Sequence, residues 1–371
     1  MQSSIQDEKI SKLGFGCMRL PRKAGAFDME QICKMVDAFI ESGGSYFDTA
    51  YVYDGSEAAM GESLVKRYPR DKFQIATKLN LRIIQSAEEM AKQFKTSCER
   101  LRTDHIDFYL LHGINASAEE KAEKLGAWDY LKELKAKGLI GHMGFSFHGK
   151  PSELEEILSA HPEAEFVQLQ INYFDWDNPK VESRRMYEIA RKFDTPIIIM
   201  EPVKGGMLAS EGSPTAGLLR EAAPGVSMAS WGFRFVSQLP GVFVTLSGMS
   251  ALSQVADNVA IFKDMRLLSD DEKAILDKAV GIINSVPRID CTGCGYCLEG
   301  CPSNIKIPNL LEIYNSYLTY NTTTNLDFQY KMWAAQGGKA GDCTNCKACE
   351  EACPQKLEIP DSLSKISALF D

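Results

Sequence analysis

Residues 73–112 read FQIATKLNLRIIQSAEEMAKQFKTSCERLRTDHIDFYLLH. The stretch holds a β-prone apolar run (Phe73–Lys78), an amphipathic segment over 86–101 and a second run (Ile106–His112). Ser86-Ala87-Glu88-Glu89 opens the middle segment as a capping box, which satisfies exposed amides at a helix start. Strand, helix and strand in so short a span is the unit from which parallel sheets are built. The same unit recurs on either side. Further runs lie at Leu13–Gly16, Ser45–Thr49, His142–Ser146, Phe166–Ile171, Pro196–Met200 and Val242–Leu246. Helix-like segments follow at 119–137, 180–193 and 251–263, and Ser269-Asp270-Asp271-Glu272 caps another. Eight such units predict an α/β fold, a (β/α)8 TIM barrel. A doubly wound open sheet is the alternative, but it normally opens on a Gly-rich strand–helix turn. Gly14-Phe15-Gly16 lacks the third glycine.

The C-terminal strand ends of such a barrel form the mouth where chemistry is done. Asp48 ends the second run, Lys78 the third and His112 the fourth, and Tyr53 follows Asp48 in the next loop. Singly, each has a plainer reading: a helix cap, a solvated rim residue, a satisfied core imidazole and a packing ring. Together, on neighbouring strands, they predict a proton-handling site. Tyr53 would be the general acid. The Lys78 charge would favour the phenolate and lower the tyrosine pKa, while Asp48 keeps Lys78 ionised.

Eight cysteines stand near the C-terminal end. Cys291, Cys294, Cys297 and Cys301 read C-x2-C-x2-C-x3-C-P, and Cys343, Cys346, Cys349 and Cys353 repeat that spacing. A cuboidal iron–sulfur cluster takes one thiolate per iron. In two-cluster bacterial ferredoxins the fourth cysteine of each run serves the other cluster. Two [4Fe–4S] clusters are therefore expected, one on Cys291, Cys294, Cys297 and Cys353, the other on Cys343, Cys346, Cys349 and Cys301. Structural zinc normally takes separated C-x2-C pairs. Disulfides need an oxidising compartment, and the opening MQSSIQDEKISKLG has no apolar signal core. The segments 291–308 and 343–360 match throughout, as far as Ile307-Pro308 and Ile359-Pro360, so a structural unit is duplicated along with the ligands. Helical patterns at Asn309–Tyr320 and Asp327–Gln336, broken by Asn321–Asn325, predict a small, mainly helical ferredoxin-type module.

Composition is that of a soluble globular chain, and no apolar run approaches a membrane span. A net charge of −9 without a basic stripe argues against a nucleic-acid surface. Free cysteines and clusters predict a reducing cytoplasm. The expected division is a barrel over 1–283 and a cluster domain over 284–371, joined through Asn284–Asp290. So little chain precedes Cys291 that the cluster domain is expected to line part of the barrel pocket.

At the strand-end residues the chain resembles the aldo/keto reductase family. The motifs are KLGFGCMRL, FDTAYVYDGSEAAMGESL (Asp48, Tyr53, Glu57 and Gly61 in the family's spacing), IATKL and YLLHG, over residues 10–265. With the C-terminal cysteines added, it is similar to the branch that bears a ferredoxin-type domain. The resemblance implies a tetrad of Asp48, Tyr53, Lys78 and His112. Tyr53 would protonate the carbonyl while a nicotinamide delivers hydride, and His112 would orient the carbonyl. It also implies a cofactor site. Ser146 and Gln168, with Asn172 nearby, would meet the carboxamide. Pro202, Val203, Lys204, Gly205 and Gly206 would cover the pyrophosphate. Gly248, Ser250, Gln254, Asp257 and Asn258 would lie at the adenosine end. Met200 replaces the tyrosine that often stacks on the nicotinamide. Gly248 and Gln254 stand where many members hold a 2′-phosphate with Lys and Arg. The cofactor is therefore written NAD(P)H, with no preference between NADH and NADPH.

These readings predict an oxidoreductase that interconverts a small-molecule carbonyl and alcohol, with the clusters exchanging electrons, and with an electron-transfer protein as a further partner. Two alternatives stand beside it: a redox-sensing or electron-transfer protein whose barrel binds nicotinamide without turnover, and a carbonyl reductase whose clusters are structural. Hydride moves two electrons whereas each cluster passes one, and no flavin fingerprint bridges them.

Overall fold

The computed structural model describes residues 10–371. The first residues of the expected 1–283 barrel domain, and with them most of the opening MQSSIQDEKISKLG, lie outside the described residues.

Eight parallel strands close into a barrel: β1 (Leu13–Gly16), β2 (Tyr46–Asp48), β3 (Gln74–Leu79), β4 (Ile106–Ile114), β5 (Ile140–Phe147), β6 (Phe166–Gln170), β7 (Ile197–Met200) and β8 (Val242–Ser247). Each pairs with the next, and β1 closes the ring on β8, with Leu13 opposite Thr245 and Gly14 opposite Tyr46. The expected TIM barrel is borne out, and each apolar run became a strand.

Residues two apart on a strand share a face. One face of this sheet fills the barrel with Tyr46, Ala76, Phe108, Leu110, Phe166, Ile198, Val244 and Leu246, a single buried cluster. Counting on by two along the same strands gives Asp48, Lys78, His112, Gln168 and Met200. The strand period thus turns a hydrophobic plug into a polar layer at the mouth. Packing in the plug is tight: a Cβ on Gly14 would lie 2.7 Å from Leu246 and 2.8 Å from Val244. The opposite face packs on the surrounding helices, for example through the aromatic trio Phe15, Phe39 and Phe47.

Local chemistry sets the helix boundaries. Ser86 caps the helix Ala87–Leu101 by accepting from the Glu89 N–H. The Glu89 carboxylate reaches past the cap residue to the Gln85 N–H at 2.6 Å. The segment 119–137 is two helices, not one: Ala116–Leu125 and Ala127–Ala136, divided at Gly126. Its φ of 67° closes the first helix with a left-handed residue, a usual C-terminal stop. Ser269 and Glu272 form the expected box ahead of Asp270–Ser285.

The described chain divides into two compact units. One comprises the chain up to Pro202 together with Ser230–Leu268. The other joins Val203–Ala229 to Ser269–Asp371. The excursion between β7 and β8 therefore packs with the C-terminal module, where the helix Ala216–Ala222 lies against Asp270–Ser285.

The C-terminal module is mainly helical: Ile307–Tyr320, Leu326–Ala334 and Ile359–Phe370, with short turns at Tyr296–Glu299 and Ala348–Ala352. The sequence repeat is also a backbone repeat. Left-handed φ values recur in register at Gly293 and Asn345 (70° and 55°), Gly295 and Lys347 (82° and 62°), and Asn304 and Lys356 (50° and 51°). Pro308 and Pro360 each sit in the first turn of a helix, where the missing N–H costs nothing. Among the described residues no helix is long and apolar enough to cross a membrane.

Candidate active site and metal centres

Asp48, Lys78 and His112 lie at or within two residues of the C-terminal ends of successive strands, and their side chains meet in the barrel mouth. Lys78 Nζ donates to Asp48 Oδ1 at 2.6 Å and to the Thr49 carbonyl at 2.7 Å. Both side chains are buried, at 1% and 5% exposure. The second Asp48 oxygen accepts from Gln168 Nε2 at 3.0 Å. Tyr53 lies over this pair, its ring centroid 5.1 Å from Lys78 Nζ and 5.9 Å from the His112 ring, edge to face.

The loop that presents Tyr53 is fastened from below. Thr49 and Ser56 hydroxyls bond across it at 2.8 Å, and Ser56 donates to the Cys17 carbonyl at 2.8 Å. Glu57 is buried and accepts from Thr77 Oγ1 at 2.7 Å and from Arg100 at 3.1 Å. This carboxylate ties the Tyr53 loop to β3, one residue before Lys78.

Burial works against the Lys78 charge, yet Asp48 and Tyr53 together raise its pKa above the ordinary ammonium value. Tyr53 differs from the expectation that Lys78 lowers its pKa. Lys78 does pull it down, but burial of the phenol is the larger effect and the net direction is up. His112 is driven down to about 3, by burial first and then by Lys78, His148 and Arg82. Its imidazole is neutral, and its Nδ1 is buried without a hydrogen-bond partner.

The residues assigned to a cofactor divide into two groups. Ser146 and Gln168 are opposed in register on β5 and β6 and are buried. Ser146 Oγ accepts from the Gly113 N–H at 2.8 Å. Asn172 is committed to the scaffold, donating to Asp175 at 2.8 Å and to the Glu201 carbonyl at 3.1 Å. Asn258 is buried and donates to Ser247 at 2.9 Å. Gln254 Oε1 accepts from the Ser250 and Ala251 N–H groups and so caps the helix Leu252–Lys263. Gly248 is exposed, and Asp257 is half-buried. Pro202 follows β7 in the barrel unit, while Val203, Lys204, Gly205 and Gly206 open the excursion that belongs to the other unit. Lys204, Gly205 and Gly206 are consecutive left-handed residues, with φ of 49°, 66° and 97°. The glycine pair takes these left-handed conformations without the Cβ penalty, and Gly205 is buried.

The role of Gln168 as an Asp48 partner was not apparent from sequence. The available signal was its register: two residues beyond Phe166, it shares the inward face with Asp48. Glu57 was noted only as part of a motif.

In the C-terminal module the cysteines form two recesses. One is lined by Cys291, Cys294, Cys297 and Cys353 with Pro308, Leu311 and Ile359. The other is lined by Cys301, Cys343, Cys346 and Cys349 with Ile305, Ile307 and Leu363. Each run lends its last cysteine to the other recess. Four thiol donors in an apolar lining suit a [4Fe–4S] cluster. Cys297, Cys349 and Cys353 are buried, whereas Cys294 and Cys346 are exposed. The short helices Tyr296–Glu299 and Ala348–Ala352 pack against each other.

Residues 290–358 match the 4Fe-4S dicluster domain. Across the barrel, an uncharacterized oxidoreductase, YqkF, of Bacillus subtilis is 26% identical over 303 residues, 72% of this chain and 92% of that protein. The probable aldo-keto reductase 1 of Glycine max is 29% identical over 222 residues, 56% of this chain and 60% of the other. Among solved structures, the aldo-keto reductase AKR11C1 from Bacillus halodurans in its holo form is 25% identical, with a TM-score of 0.61, 75% of this chain and 94% of the other being covered. Residues 12–280 match the aldo/keto reductase family, and this chain belongs to that family.

Proposed function

We propose that the chain is an NAD(P)H-dependent oxidoreductase that interconverts a small-molecule carbonyl and its alcohol at Asp48, Tyr53, Lys78 and His112, and that two [4Fe–4S] clusters on the C-terminal module exchange electrons. The observation that carries the reading is the buried Lys78–Asp48 pair under the Tyr53 ring. A buried ion pair costs desolvation and is a poor device for stability alone. Beneath a tyrosine it has a chemical use.

The nicotinamide, when bound, supplies hydride. Tyr53 donates its proton to the carbonyl oxygen as the alkoxide develops, and Lys78 stabilises the phenolate left behind. Before reaction Tyr53 is protonated, which suits a donor. Asp48 keeps Lys78 charged, and Gln168 holds the other Asp48 oxygen. Neutral His112 orients the carbonyl by hydrogen bonding. In the reverse direction Tyr53 receives the alcohol proton. When a nicotinamide is bound, Ser146 and Gln168 would hold its carboxamide.

Cys291, Cys294, Cys297 and Cys353 would hold one cluster, and Cys301, Cys343, Cys346 and Cys349 the other; each would supply one-electron chemistry. The exposed Cys294 and Cys346 open both sites to an electron-transfer protein. That exposure favours exchange over a purely structural role.

Single-turnover oxidation of NADH and NADPH by a ketone panel is expected to slow by about 10²- to 10⁴-fold in Tyr53→Phe. Equal rates in the two proteins would remove Tyr53 as proton donor. Because His112 protonates only near pH 3, well below its ordinary 6.5, the reduction rate is expected to be flat from pH 5.5 to 7.5. An imidazole of ordinary pKa would change its neutral fraction about tenfold across that window. For the clusters, the double variant Cys301→Ser/Cys346→Ser is expected to retain about four irons per chain after anaerobic purification, because both residues serve one cluster. Loss of nearly all iron would contradict the crossed ligand sets.

A further inference from the structure

Away from the barrel mouth, three side chains of the barrel unit converge as a ligand set would. Glu119 and Glu123 stand one turn apart on the helix Ala116–Leu125, which follows β4. His161 closes the helix Pro151–Ala160, which follows β5. His161 Nε2 lies 2.8 Å from Glu119 Oε1 and 2.9 Å from Glu123 Oε1. One donor atom from each of the three residues falls within 4.8 Å of the other two. Ligands at right angles around a zinc-sized ion, with bonds of about 2.0–2.2 Å, stand about 3 Å apart.

The surroundings separate this cluster from an ordinary ion pair. An imidazole nitrogen carries at most one proton, yet Nε2 faces two carboxylates. Glu119 Oε1 also accepts from Trp128 Nε1 at 3.0 Å, while Glu119 Oε2 is buried with no donor. A buried carboxylate oxygen without a partner is costly, and burial holds the Glu119 pKa above its ordinary value. A cation would satisfy that oxygen. On the far side of the ring, His161 Nδ1 lies 3.4 Å from Glu163 Oε1. A carboxylate there fixes the tautomer that leaves Nε2 free to ligate, the arrangement found behind metal-bound histidines. Lys132 answers Glu163 at 3.5 Å, which leaves Glu119 and Glu123 facing one imidazole. The ring is held in place: its side chain is 10% exposed and stacks on Trp128 with centroids 4.2 Å apart.

We propose that Glu119, Glu123 and His161 form a binding site for one divalent transition-metal ion of the zinc class, with positions left for water and with Glu163 orienting the histidine. The imidazole favours zinc over magnesium and calcium, which take oxygen ligands. Once bound, the ion ties the helix after β4 to the helix after β5. The site shares no residue with the tetrad, so it stands or falls independently of the nicotinamide reading.

The probe is zinc alone, titrated into the full-length, cluster-loaded protein against a chromophoric chelator, with iron content measured alongside. The wild type is expected to bind zinc with a change in tryptophan emission, because Trp128 touches both Glu119 and His161, and with a rise in melting temperature. Magnesium at the same concentration should produce neither signal. Glu163→Gln is expected to weaken the site about 10- to 100-fold. Glu123→Gln, which alters a side chain 61% exposed, should weaken it at least as much and abolish the melting shift, with iron content and zinc-free melting temperature unchanged. Equal zinc affinity in the wild type and either variant would mark adventitious binding and overturn the proposal. So would a wild type that takes up no more zinc than Glu123→Gln, which would leave His161 as a plain imidazolium clamp between carboxylates.

Discussion

A lysine ammonium held in a nearly water-free place is the constraint around which the barrel mouth is organised. Lys78 can be charged there only because Asp48 and the Thr49 carbonyl accept from it. Removing one partner of such a pair typically costs about 3–5 kcal/mol, because the other is left uncompensated. Asp48 is in turn held by Gln168, and the loop bearing Tyr53 is tied down through Ser56 and Glu57. The Lys78 charge has two further effects: it draws down the Tyr53 pKa against the effect of burial, and it helps to keep His112 neutral. One fixed cation thus acts on both neighbours, opposing burial at Tyr53 and adding to it at His112.

The C-terminal module solves a different problem. A cube with four metal corners needs a chain that turns tightly enough to present three thiolates and then delivers a fourth from elsewhere. Left-handed residues at matching positions in each repeat make the tight turns. Crossing the last cysteine of each run joins the halves, so neither recess is complete without the other. The same module takes in the excursion after β7, a segment that by chain order belongs to the barrel.

Much of this was legible in the sequence because two periods dominate it. Apolar runs marked all eight strands, and their last inward residues were the polar ones. Cysteine spacing identified the cluster chemistry. What escaped notice depended on tertiary context. Gly126 breaks a helix that composition alone left continuous. The net direction of the Tyr53 pKa required knowing how deeply the phenol is buried. The side chains of Asn172 and Gln254 are engaged in backbone caps and turns, which a motif cannot distinguish from ligand contacts. The partnership of Gln168 with Asp48 spans 120 residues and is set only when the barrel closes.

The central claim is that Lys78 acts on the reaction through Tyr53. Its most direct test is a double-mutant cycle on the single-turnover rate of carbonyl reduction, comparing Lys78→Met, Tyr53→Phe and the double variant, in proteins whose circular dichroism and iron content match the wild type. If Lys78 works by stabilising the Tyr53 phenolate, the double variant should be no slower than Tyr53→Phe alone. Losses that multiply would show that the two residues act independently and would contradict the account.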